Sequence, residues 1–416
     1  FIDPKYPKKV YKVVKALYGL HQAPKAWYAT LSTFFLKSRY RRGTIDKTLF
    51  IKKDKNDIML VEVYVDDIIF GSTKRSWCDE FQILMKSRFQ MSSMGELTFF
   101  LRLQVKQKED DIFISQDKYV AKILKKFDFV SVKTASTPIE TQKPLVKDEE
   151  ASDVDVYLYR SMIGSLMYLT ASRPNIMFAV CACSRFQVTP KTSNLNVIKI
   201  IFRYLKGKPK LSLWYPRVSI FNLEAYSDSD YAGANLDRKS TTGDCQFLGR
   251  RLISWQCKKQ TIMATSTTEA EYVAAANCCG QVLWIQNQML DYGFNFMNTK
   301  IYIDNESTIC IVKNLVFHSK TKHIAIRNHF IRGAYKKKLI QVLNIHTDDN
   351  VADLLTKAFD VSRESLERDI DGTEELLLPD LIIFWLKKVS TDSAKLILLG
   401  KASTAIKTLE KIPSRV

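Results

Sequence analysis

The pattern of apolar and polar positions is clearest between residues 58 and 70. Apolar runs rich in Val and Ile flank the adjacent acids Asp66 and Asp67. This pattern predicts two strands joined by a tight turn, with both acids at its tip. Ionised carboxylates there need solvent, cations or a metal, because burying them unpaired is costly. A solvated turn explains the pair as well as a metal site does.

Sheet and helix patterns alternate in the first part of the chain. Pro24 suits the first turn of a helix that runs to about Leu36. Further on, a strand is predicted at 48–53 and a helix with one apolar face at 77–89. Two strands at 97–107 and 111–115 are predicted to form a hairpin. A polar loop at 134–156 separates this block from the rest.

After the polar loop, the pattern becomes helical and then mixed. Three apolar helices are predicted at 157–172, 176–186 and 194–206. From about Ser219, strands are predicted at 221–227, 243–249, 252–256 and 300–304. One long helix is predicted at 268–290. Shorter elements are expected at 306–313, 322–336, 339–346 and 350–358. Strands followed by alternating helices indicate an α/β sheet domain.

Length and charge add to this picture. A chain of 416 residues should form roughly two to four domains. Its formal net charge of +19 indicates a polyanionic partner. The excess lies before residue 361, because 361–416 hold nine basic and nine acidic side chains. Basic–aromatic clusters at 8–12 and 39–42 suit base stacking with phosphate contact, and a solvated charged face explains them almost as well.

The cysteines and apolar runs limit other classes of protein. Eight cysteines are scattered without a paired CxxC or CxxC…HxxxH arrangement, which argues against zinc and for reduced thiols. The apolar stretch 376–386 is interrupted by Pro379 and is too short to span a bilayer, and no signal peptide opens the chain. We therefore expect an intracellular protein, cytoplasmic or nuclear, with no membrane partner. Position 1 is Phe, which predicts a start inside a longer reading frame.

Carboxylates recur downstream, in strands and at the starts of helices. Strand alternation places Asp228 and Asp230 on one face. In the long helix, Glu269 and Glu271 are about 200° apart, so only one of them can face the sheet. Small residues on the side of Glu271 favour packing there, so we expect Glu271 inward and Glu269 in solvent.

Two further acids follow. Asp304 ends a predicted strand where a helix begins, and Asp353 lies in the first turn of a late helix. Each has a structural alternative, Asp304 as an N-cap and Asp353 as the acidic partner of Asn350 in a capping box. Asp228 is harder to explain in this way, because Asp is depleted in strands.

Taken together, Asp228, Glu271, Asp304 and Asp353 indicate a cation site. Such a cluster repels itself unless cations neutralise it, and hard oxygen ligands favour Mg²⁺, with Mn²⁺ as the substitute. Two ions about 4 Å apart can activate water and stabilise the leaving oxygen in phosphodiester cleavage. Surrounding positive charge would hold the phosphate backbone.

Several motifs, in one order, resemble a known family. They occupy 15–20 with 22–28, 64–67, 160–166 with 173–174, 204–207, 226–233, 266–272, 304–305 and 352–358. Over roughly residues 1–363, the chain resembles the reverse transcriptase and ribonuclease H portion of a copia-type retrotransposon polyprotein. Residues 364–416 match nothing in that family.

The resemblance implies a multidomain fold of the α+β and α/β classes. It places a partial reverse-transcriptase palm at 1–95 and a helical thumb and connection region at 96–215. A ribonuclease H-like domain with a mixed sheet follows at 216–360. The tail at 361–416 has no implied fold.

The resemblance also implies roles for the acids. The four downstream acids would hold the metals of a nuclease that cuts the RNA strand of an RNA–DNA hybrid, a substrate distinguished by its 2′-hydroxyls. Asp66 and Asp67 would be two of three palm aspartates that hold the polymerase metals on a template–primer.

Departures from the family pattern limit these expectations. The family's first palm aspartate and its fingers lie upstream of the residues present, and Asp3, beside Pro4, is a poor substitute. We therefore expect no primer extension. Smaller departures are Ala325 and Gly333 in place of acids, Arg102 in place of a glycine, and Asn196 and Ile200 in place of more polar residues.

Three hypotheses follow for function. The preferred one is a truncated retroelement polyprotein with a Mg²⁺-dependent hybrid nuclease, and the alternative is a non-catalytic relic that binds nucleic acid. The third is a DNA-cutting, integrase-like enzyme, which shares the acid-rich fold type. In the first case His329 shuttles protons or assists product release, and otherwise it contacts phosphate or solvent on a basic helix.

Overall fold

The computed structural model describes residues 4–9, 19–55, 57–109, 111–140, 145, 148–216, 219, 221–234, 236–314 and 321–358. These form two compact units, one ending at Gly95 and the other beginning at Glu96. The apolar stretch 376–386, the tail 361–416, Asp3 and residues 10–18 of the opening segment lie outside the described residues.

The first unit is an antiparallel sheet with two helices. In chain order its elements are α1 Ala23–Lys37, β1 Arg41–Arg42, β2 Leu49–Asp54, β3 Asp57–Tyr64, β4 Asp67–Ser72 and α2 Arg75–Arg88. The strands follow the order β1-β2-β3-β4, and the helices cover an aromatic core in which Phe35 contacts Phe50 and Phe81. The predicted strands at 48–53 and 58–70 and the two predicted helices are confirmed.

The second unit begins with a small antiparallel sheet and a helical cluster. Its elements are β5 Phe99–Phe100, β6 Leu103–Gln107, β7 Asp111–Ser115, α3 Asp117–Lys126, α4 Val156–Leu169, α5 Met177–Ser184, α6 Thr192–Gly207 and β8 Leu213–Pro216. The strand order is β5-β6-β7-β8, and the helices enclose a core that includes Leu166, Val180 and Ile201. The three helices predicted after the polar loop are confirmed.

The prediction of one continuous strand from 97 to 107 is wrong. A two-residue turn at Leu101 and Arg102 divides it into β5 and β6, and both residues have positive φ, at 47° and 65°. The turn could not be predicted from residue type, because neither residue is Gly or Asn, the types that adopt positive φ at little cost. Arg102 occupies the position of the family's glycine, and a glycine would adopt this φ without strain.

Helix α3 was missed, although its pattern was available. Val120, Ile123 and Leu124 are buried on one face, with the spacing of a helical stripe. Four lysines lower the apolar character of this ten-residue segment. The short strand β8 was missed as well, because its four residues carry no alternation long enough to detect.

A mixed five-stranded sheet completes the second unit. Its elements are β9 Leu223–Ser229, β10 Thr241–Leu248, β11 Arg251–Lys259, α7 Thr267–Asp291, β12 Thr299–Ile303, α8 Glu306–Lys313, α9 Phe330–Lys336 and β13 Ile340–Asn344. The order is β11-β10-β9-β12-β13; β9, β10 and β11 are antiparallel, whereas β12 is parallel to both of its neighbours. This is the mixed sheet that the resemblance to ribonuclease H implied.

The last predicted helices are shorter than expected. Only Phe330–Lys336 of the 322–336 segment is α-helical, preceded by a 3₁₀ turn at Ile326–Asn328. The 350–358 segment contains a 3₁₀ helix at Val351–Leu355, and another lies just before it, at Thr347–Asp349.

The helical cluster and the mixed sheet contact each other within the second unit. Trp255 donates its indole N–H to the carbonyl of Thr170 at 3.1 Å, and Arg185 donates to Oγ1 of Thr241 at 2.8 Å. Because these contacts join α5 and the end of α4 to β10 and β11, the helical cluster supports one side of the sheet.

Candidate metal centre

Parallel pairing sets two of the four downstream acids side by side. Tyr302 of β12 is in register with Tyr226 of β9, and Asp304 and Asp228 each lie two residues further on. Since parallel strands share their carboxyl-terminal edge, both carboxylates reach that edge together. The chain thus brings positions 76 residues apart to adjacent strand ends.

The 3₁₀ helix at Val351–Leu355 carries Asp353 to the same edge. Asn350 anchors it by donating its side-chain N–H to the carbonyl of Ser227 at 3.0 Å, and it caps it by accepting from the backbone N–H of Ala352. One carboxylate oxygen from each of Asp228, Asp304 and Asp353 lies within 4.8 Å of the others. We call these three residues the aspartate triad.

The 3₁₀ helix at Val351–Leu355 can pack closely against β10 because residue 243 is a glycine. Gly243 is paired with Asp228, and a Cβ there would lie 2.7 Å from Cγ2 of Thr356 and 2.9 Å from Cβ of Leu355. Any side chain would therefore push the 3₁₀ helix, and Asp353 with it, away from the sheet.

Asp228 is the most enclosed member of the triad. It is 1% exposed, and its Oδ2 accepts a hydrogen bond from the hydroxyl of Thr356. Burial and the nearby charge of Asp353 raise the pKa of Asp228 to about 7, against the opposing effect of Lys357. The carboxylate therefore resists ionisation unless a cation approaches.

Glu271 lies beside the triad but outside it. Its Oε1 accepts from the backbone N–H of Ser229 at 3.0 Å, whereas its buried Oε2 has no hydrogen-bond partner. Burial, followed by the charges of Asp228 and Asp304, raises the pKa of Glu271 to about 9. The inward orientation predicted for Glu271 is confirmed by this hydrogen bond from Ser229, because Ser229 is the last residue of a central strand of the sheet.

The prediction that Glu269 faces solvent is wrong. It is 4% exposed, and its Oε2 accepts from the backbone N–H and the hydroxyl of Thr265 at 2.7 and 2.8 Å. Helix geometry shows that Glu269 and Glu271 cannot both face the sheet. It could not show that the segment before α7 covers Glu269 on the other side of the helix.

The capping explanation for Asp304 is also wrong. Asn305 is the N-cap of α8 and accepts from the backbone N–H of Thr308 at 2.9 Å. Asp304 is half-buried and accepts from the hydroxyl of Thr347 at 3.1 Å. Asp353 lies in the first turn of its 3₁₀ helix, as predicted for a late helix, and its Oδ1 is 3.1 Å from Nζ of Lys357.

Asp230, which was expected on the same strand face as Asp228, and the candidate site residue His329 lie in different surroundings. Asp230 follows the end of β9 and accepts from the backbone N–H of Thr241. His329 contacts the hydroxyl of Tyr272 through Nδ1 at 3.0 Å, and partial burial followed by Arg332 lowers its pKa. A role for His329 as a proton shuttle stays a prediction.

The hairpin acids of the first unit are separated by the turn. Val65 and Asp66 form a two-residue loop, and Asp67 is the first residue of β4, paired with Tyr64, rather than part of the tip as predicted. Val65 has φ 54°, which is strained for a β-branched residue. Both acids are exposed, and partial loss of hydration and the charge of Asp66 raise the pKa of Asp67.

The prediction that Tyr40, the aromatic residue of the 39–42 cluster, stacks on a base is wrong. Tyr40 is 5% exposed and packs against Phe35 and Phe81 in the core, so it offers no face to a base. Arg41 and Arg42 remain exposed. In the 8–12 cluster, Lys9 and Lys8 are described and exposed, whereas the aromatic at 11 lies outside the described residues.

Three residues important to the geometry escaped prediction. Gly243 permits the close approach, Thr356 donates to Asp228, and Lys357 contacts two of the acids. Thr356 and Lys357 belong to the 352–358 motif, so the sequence placed them near Asp353. Only the fold shows that they also reach Asp228, 128 and 129 positions earlier in the chain.

The mixed sheet, with acids that converge at the carboxyl ends of two parallel strands, is the architecture that the resemblance to a ribonuclease H-like domain implied. Residues 1–141 match the family described as reverse transcriptase (RNA-dependent DNA polymerase). The solved ribonuclease H1 of Halobacterium salinarum aligns with 32% of this chain and 94% of its own, at 13% identity and a TM-score of 0.24. The fold of this region is defined by the strand order β11-β10-β9-β12-β13 of its mixed sheet.

Curated relatives extend the similarity beyond the reverse-transcriptase segment. The Pol polyprotein of transposon RE1 from Arabidopsis thaliana is 35% identical over 358 residues, covering 86% of this chain and 24% of the relative. That of transposon TNT 1-94 from Nicotiana tabacum is 32% identical over 373 residues, covering 87% and 28%. Over most of its length the chain is therefore homologous to Pol polyproteins of copia-type retrotransposons, and it spans about a quarter of the length of these relatives.

Within the residues that the structure describes, none of the helices combines the length and the apolar character needed to cross a bilayer.

Proposed function

We propose that the region 216–360 hydrolyses the RNA strand of an RNA–DNA hybrid with the help of divalent cations. Asp228, Glu271, Asp304 and Asp353 would be the metal ligands. The observation that carries this proposal is the convergence of the aspartate triad at one sheet edge, with the buried, unpartnered Oε2 of Glu271 beside it.

The donor set fits Mg²⁺ or Mn²⁺. All four candidates offer carboxylate oxygens, which hard divalent cations prefer. The raised pKa values of Asp228 and Glu271 reflect burial without enough positive charge, and a dication would favour ionisation of both groups. When bound, such an ion supplies an activated water and a counter-charge for the leaving oxygen.

The chain's own contribution is orientation. The hydroxyl of Thr356 fixes one oxygen of Asp228, and the backbone N–H of Ser229 fixes one oxygen of Glu271. Both acids are held by groups in regular or capped structure, so they lose little freedom when a substrate arrives. The fixed carboxylates thereby determine where an ion and the scissile phosphate can sit.

The substrate class follows from charge and family. The chain carries a net charge of +19, which suits the phosphate backbone of a nucleic acid. Selection of RNA in a hybrid requires contacts with 2′-hydroxyls that DNA lacks. We assign the hybrid as substrate because the acids belong to the nuclease motifs of a family that also has the reverse-transcriptase segment.

We assign residues 1–95 to part of a reverse-transcriptase palm and 96–215 to a thumb and connection region. Asp66 and Asp67 would be two of the palm's metal ligands. Among the residues that the structure describes, no third acidic group joins them in a candidate ion site. We infer that Asp66 and Asp67 alone do not complete a polymerase metal site, and an assay of primer extension on a template checks this inference.

The test is cleavage of a hybrid with labelled RNA by the full chain, with and without Mg²⁺. Asp304→Asn is the matched control, because it removes a charge at nearly constant volume, and it should slow cleavage by at least about 100-fold. Lack of Mg²⁺-dependent cleavage by the parent chain would contradict the proposal. Cleavage of duplex DNA instead of the hybrid would favour the integrase-like hypothesis.

A second candidate is binding without catalysis. The observation that favours it is the set of departures at Ala325 and Gly333, where related elements carry acids, within an overall basic chain. Hybrid binding that weakens with salt, in a chain that cuts nothing, would select this function.

A further inference from the structure

Lys357 places a positive charge within the acidic group. Its Nζ lies 3.1 Å from Oδ1 of Asp353 and 3.7 Å from Oδ2 of Asp228. The side chains of these two acids are 7% and 2% exposed, whereas that of Lys357 is 45% exposed. The ammonium therefore contacts two enclosed carboxylates and water at the same time.

One short segment supplies both an acid and its counter-charge. Asp353 and Lys357 are four residues apart, about one helical turn, and Thr356 lies between them. The Thr356 hydroxyl and the Lys357 ammonium both approach Oδ2 of Asp228. The segment thus binds Asp228 by a hydrogen bond and an ion pair before any metal arrives.

Two carboxylates of the triad lie within ion-pair distance of the Lys357 ammonium. A lysine side chain is positively charged at neutral pH unless its surroundings remove that charge, and two adjacent carboxylates favour it. A dication ligated by Asp228 and Asp353 would use carboxylates that now face this ammonium, and two cations sharing the same oxygens repel each other.

We propose that Lys357 is an internal counter-ion, which holds Asp228 and Asp353 together in the metal-free chain and competes with a divalent cation for them. This inference rests on the proposed function, because it takes the two acids as metal ligands. Lys357 is a positioning residue, since it acts through the carboxylates. Its half-exposed side chain can withdraw into water when a cation enters.

Competition and ordinary structural support predict opposite results. If Lys357 only held the 3₁₀ helix in place, its removal would loosen the acids and weaken metal binding. If Lys357 competes, its removal leaves the acids more negative and strengthens metal binding. The sign of the change in affinity therefore decides between them.

The experiment is a titration of the full 416-residue chain with Mn²⁺ alone, without nucleic acid, followed by electron paramagnetic resonance of the free ion. Lys357→Gln should bind Mn²⁺ about tenfold more tightly than the parent, the scale expected for one half-exposed charge in contact with the ligands. Lys357→Met should behave in the same way, and Lys357→Arg, which keeps the charge, should stay close to the parent.

Lys300→Gln is the matched control. Lys300 pairs with Glu224 on the same sheet at 3.4 Å, so its removal changes the net charge equally but at a distance from the triad. An affinity of Lys357→Gln equal to that of Lys300→Gln, or weaker, overturns the inference. Asp304→Asn separates the two proposals: unchanged Mn²⁺ binding in that variant refutes the metal centre itself, whatever Lys357 does.

Thermal unfolding gives a second readout. In EDTA, Lys357→Gln should unfold at a lower temperature than Lys300→Gln, because the buried acids lose their counter-charge. Saturating Mn²⁺ should then raise its unfolding temperature by more than it raises that of the parent. An equal stabilisation of both chains by Mn²⁺ contradicts the competition.

Discussion

The two acidic regions of this chain are built in opposite ways. Asp66 and Asp67 are neighbours in sequence, placed by a single hairpin and exposed to solvent. The aspartate triad gathers residues from two strands and a 3₁₀ helix, spread over 125 positions, and two of its members are buried.

The difference shows what converts acids into a candidate site. Solvent stabilises the hairpin pair, so nothing about it demands a cation. At the triad, protein replaces water around Asp228 and around the neighbouring Glu271. Burial and the nearby carboxylates raise the pKa of both groups, and a bound cation would offset this effect. Burial and convergence, rather than the number of acids, distinguish the two regions.

The largest expected effect tests that distinction directly. Asp228→Asn should reduce cleavage of hybrid RNA by about 1,000-fold or more, because it removes a ligand charge from the centre of the triad. Asp66→Asn, in the hairpin, should leave cleavage within about twofold of the parent. Initial rates on a labelled hybrid measure both, and a comparable loss in the two variants would break the comparison.

A buried acid in the first unit should make that unit sensitive to pH. Burial raises the pKa of Glu62 to about 8, against a hydrogen bond from Thr48 that lowers it. Because the folded state holds this proton more tightly than the unfolded chain, its stabilisation is complete below about pH 4.5 and disappears as pH rises through about 8.

Native-state hydrogen exchange of β2 and β3 measures this stability. Between pH 5 and 8, the opening free energy should fall by on the order of 3 kcal/mol. Glu62→Gln, which mimics the protonated acid, should remove most of this dependence. The same slope in both chains would show that another group titrates.

Packing around the triad should be sensitive to one added methyl group. Gly243→Ala places a Cβ 2.7 Å from Thr356 and 2.9 Å from Leu355, so it should cost about 1–3 kcal/mol of unfolding free energy and displace Asp353. Gly280→Ala, in α7, meets Phe330 at an ordinary 3.6 Å and should gain about 0.5–1 kcal/mol. Thermal unfolding and hybrid cleavage together check the pair, and equal effects would remove the role assigned to Gly243.

The smallest effect concerns the hairpin acids themselves. Asp66→Asn should lower the pKa of Asp67, because it removes a like charge, although burial, the larger cause of the shift, persists. Titration of the Asp67 carboxyl by NMR measures the change. Asp54→Asn, at the far end of the same sheet, removes an equal charge and should leave Asp67 unaltered.

Periodic patterns predicted most elements, because their signals are local. A 3.6-residue period located α2, apolar runs with helix-stop signals located α4, α5 and α6, and apolar runs located the strands β2, β3, β9, β10, β11 and β12. Predictions failed where backbone conformation overrode residue type, as at Leu101 and Arg102, or where a loop folded over a side chain, as at Glu269.

The sequence by itself determined the order of the elements, the family and the identity of the candidate acids, since each depends on residue type and spacing along the chain. Only the tertiary structure decided that Asp304 is no helix cap, that Glu269 is covered and that Lys357 reaches Asp228. The physical reason is that strand register and the close approach at Gly243 fix distances between residues far apart in the chain, and no local pattern encodes those distances.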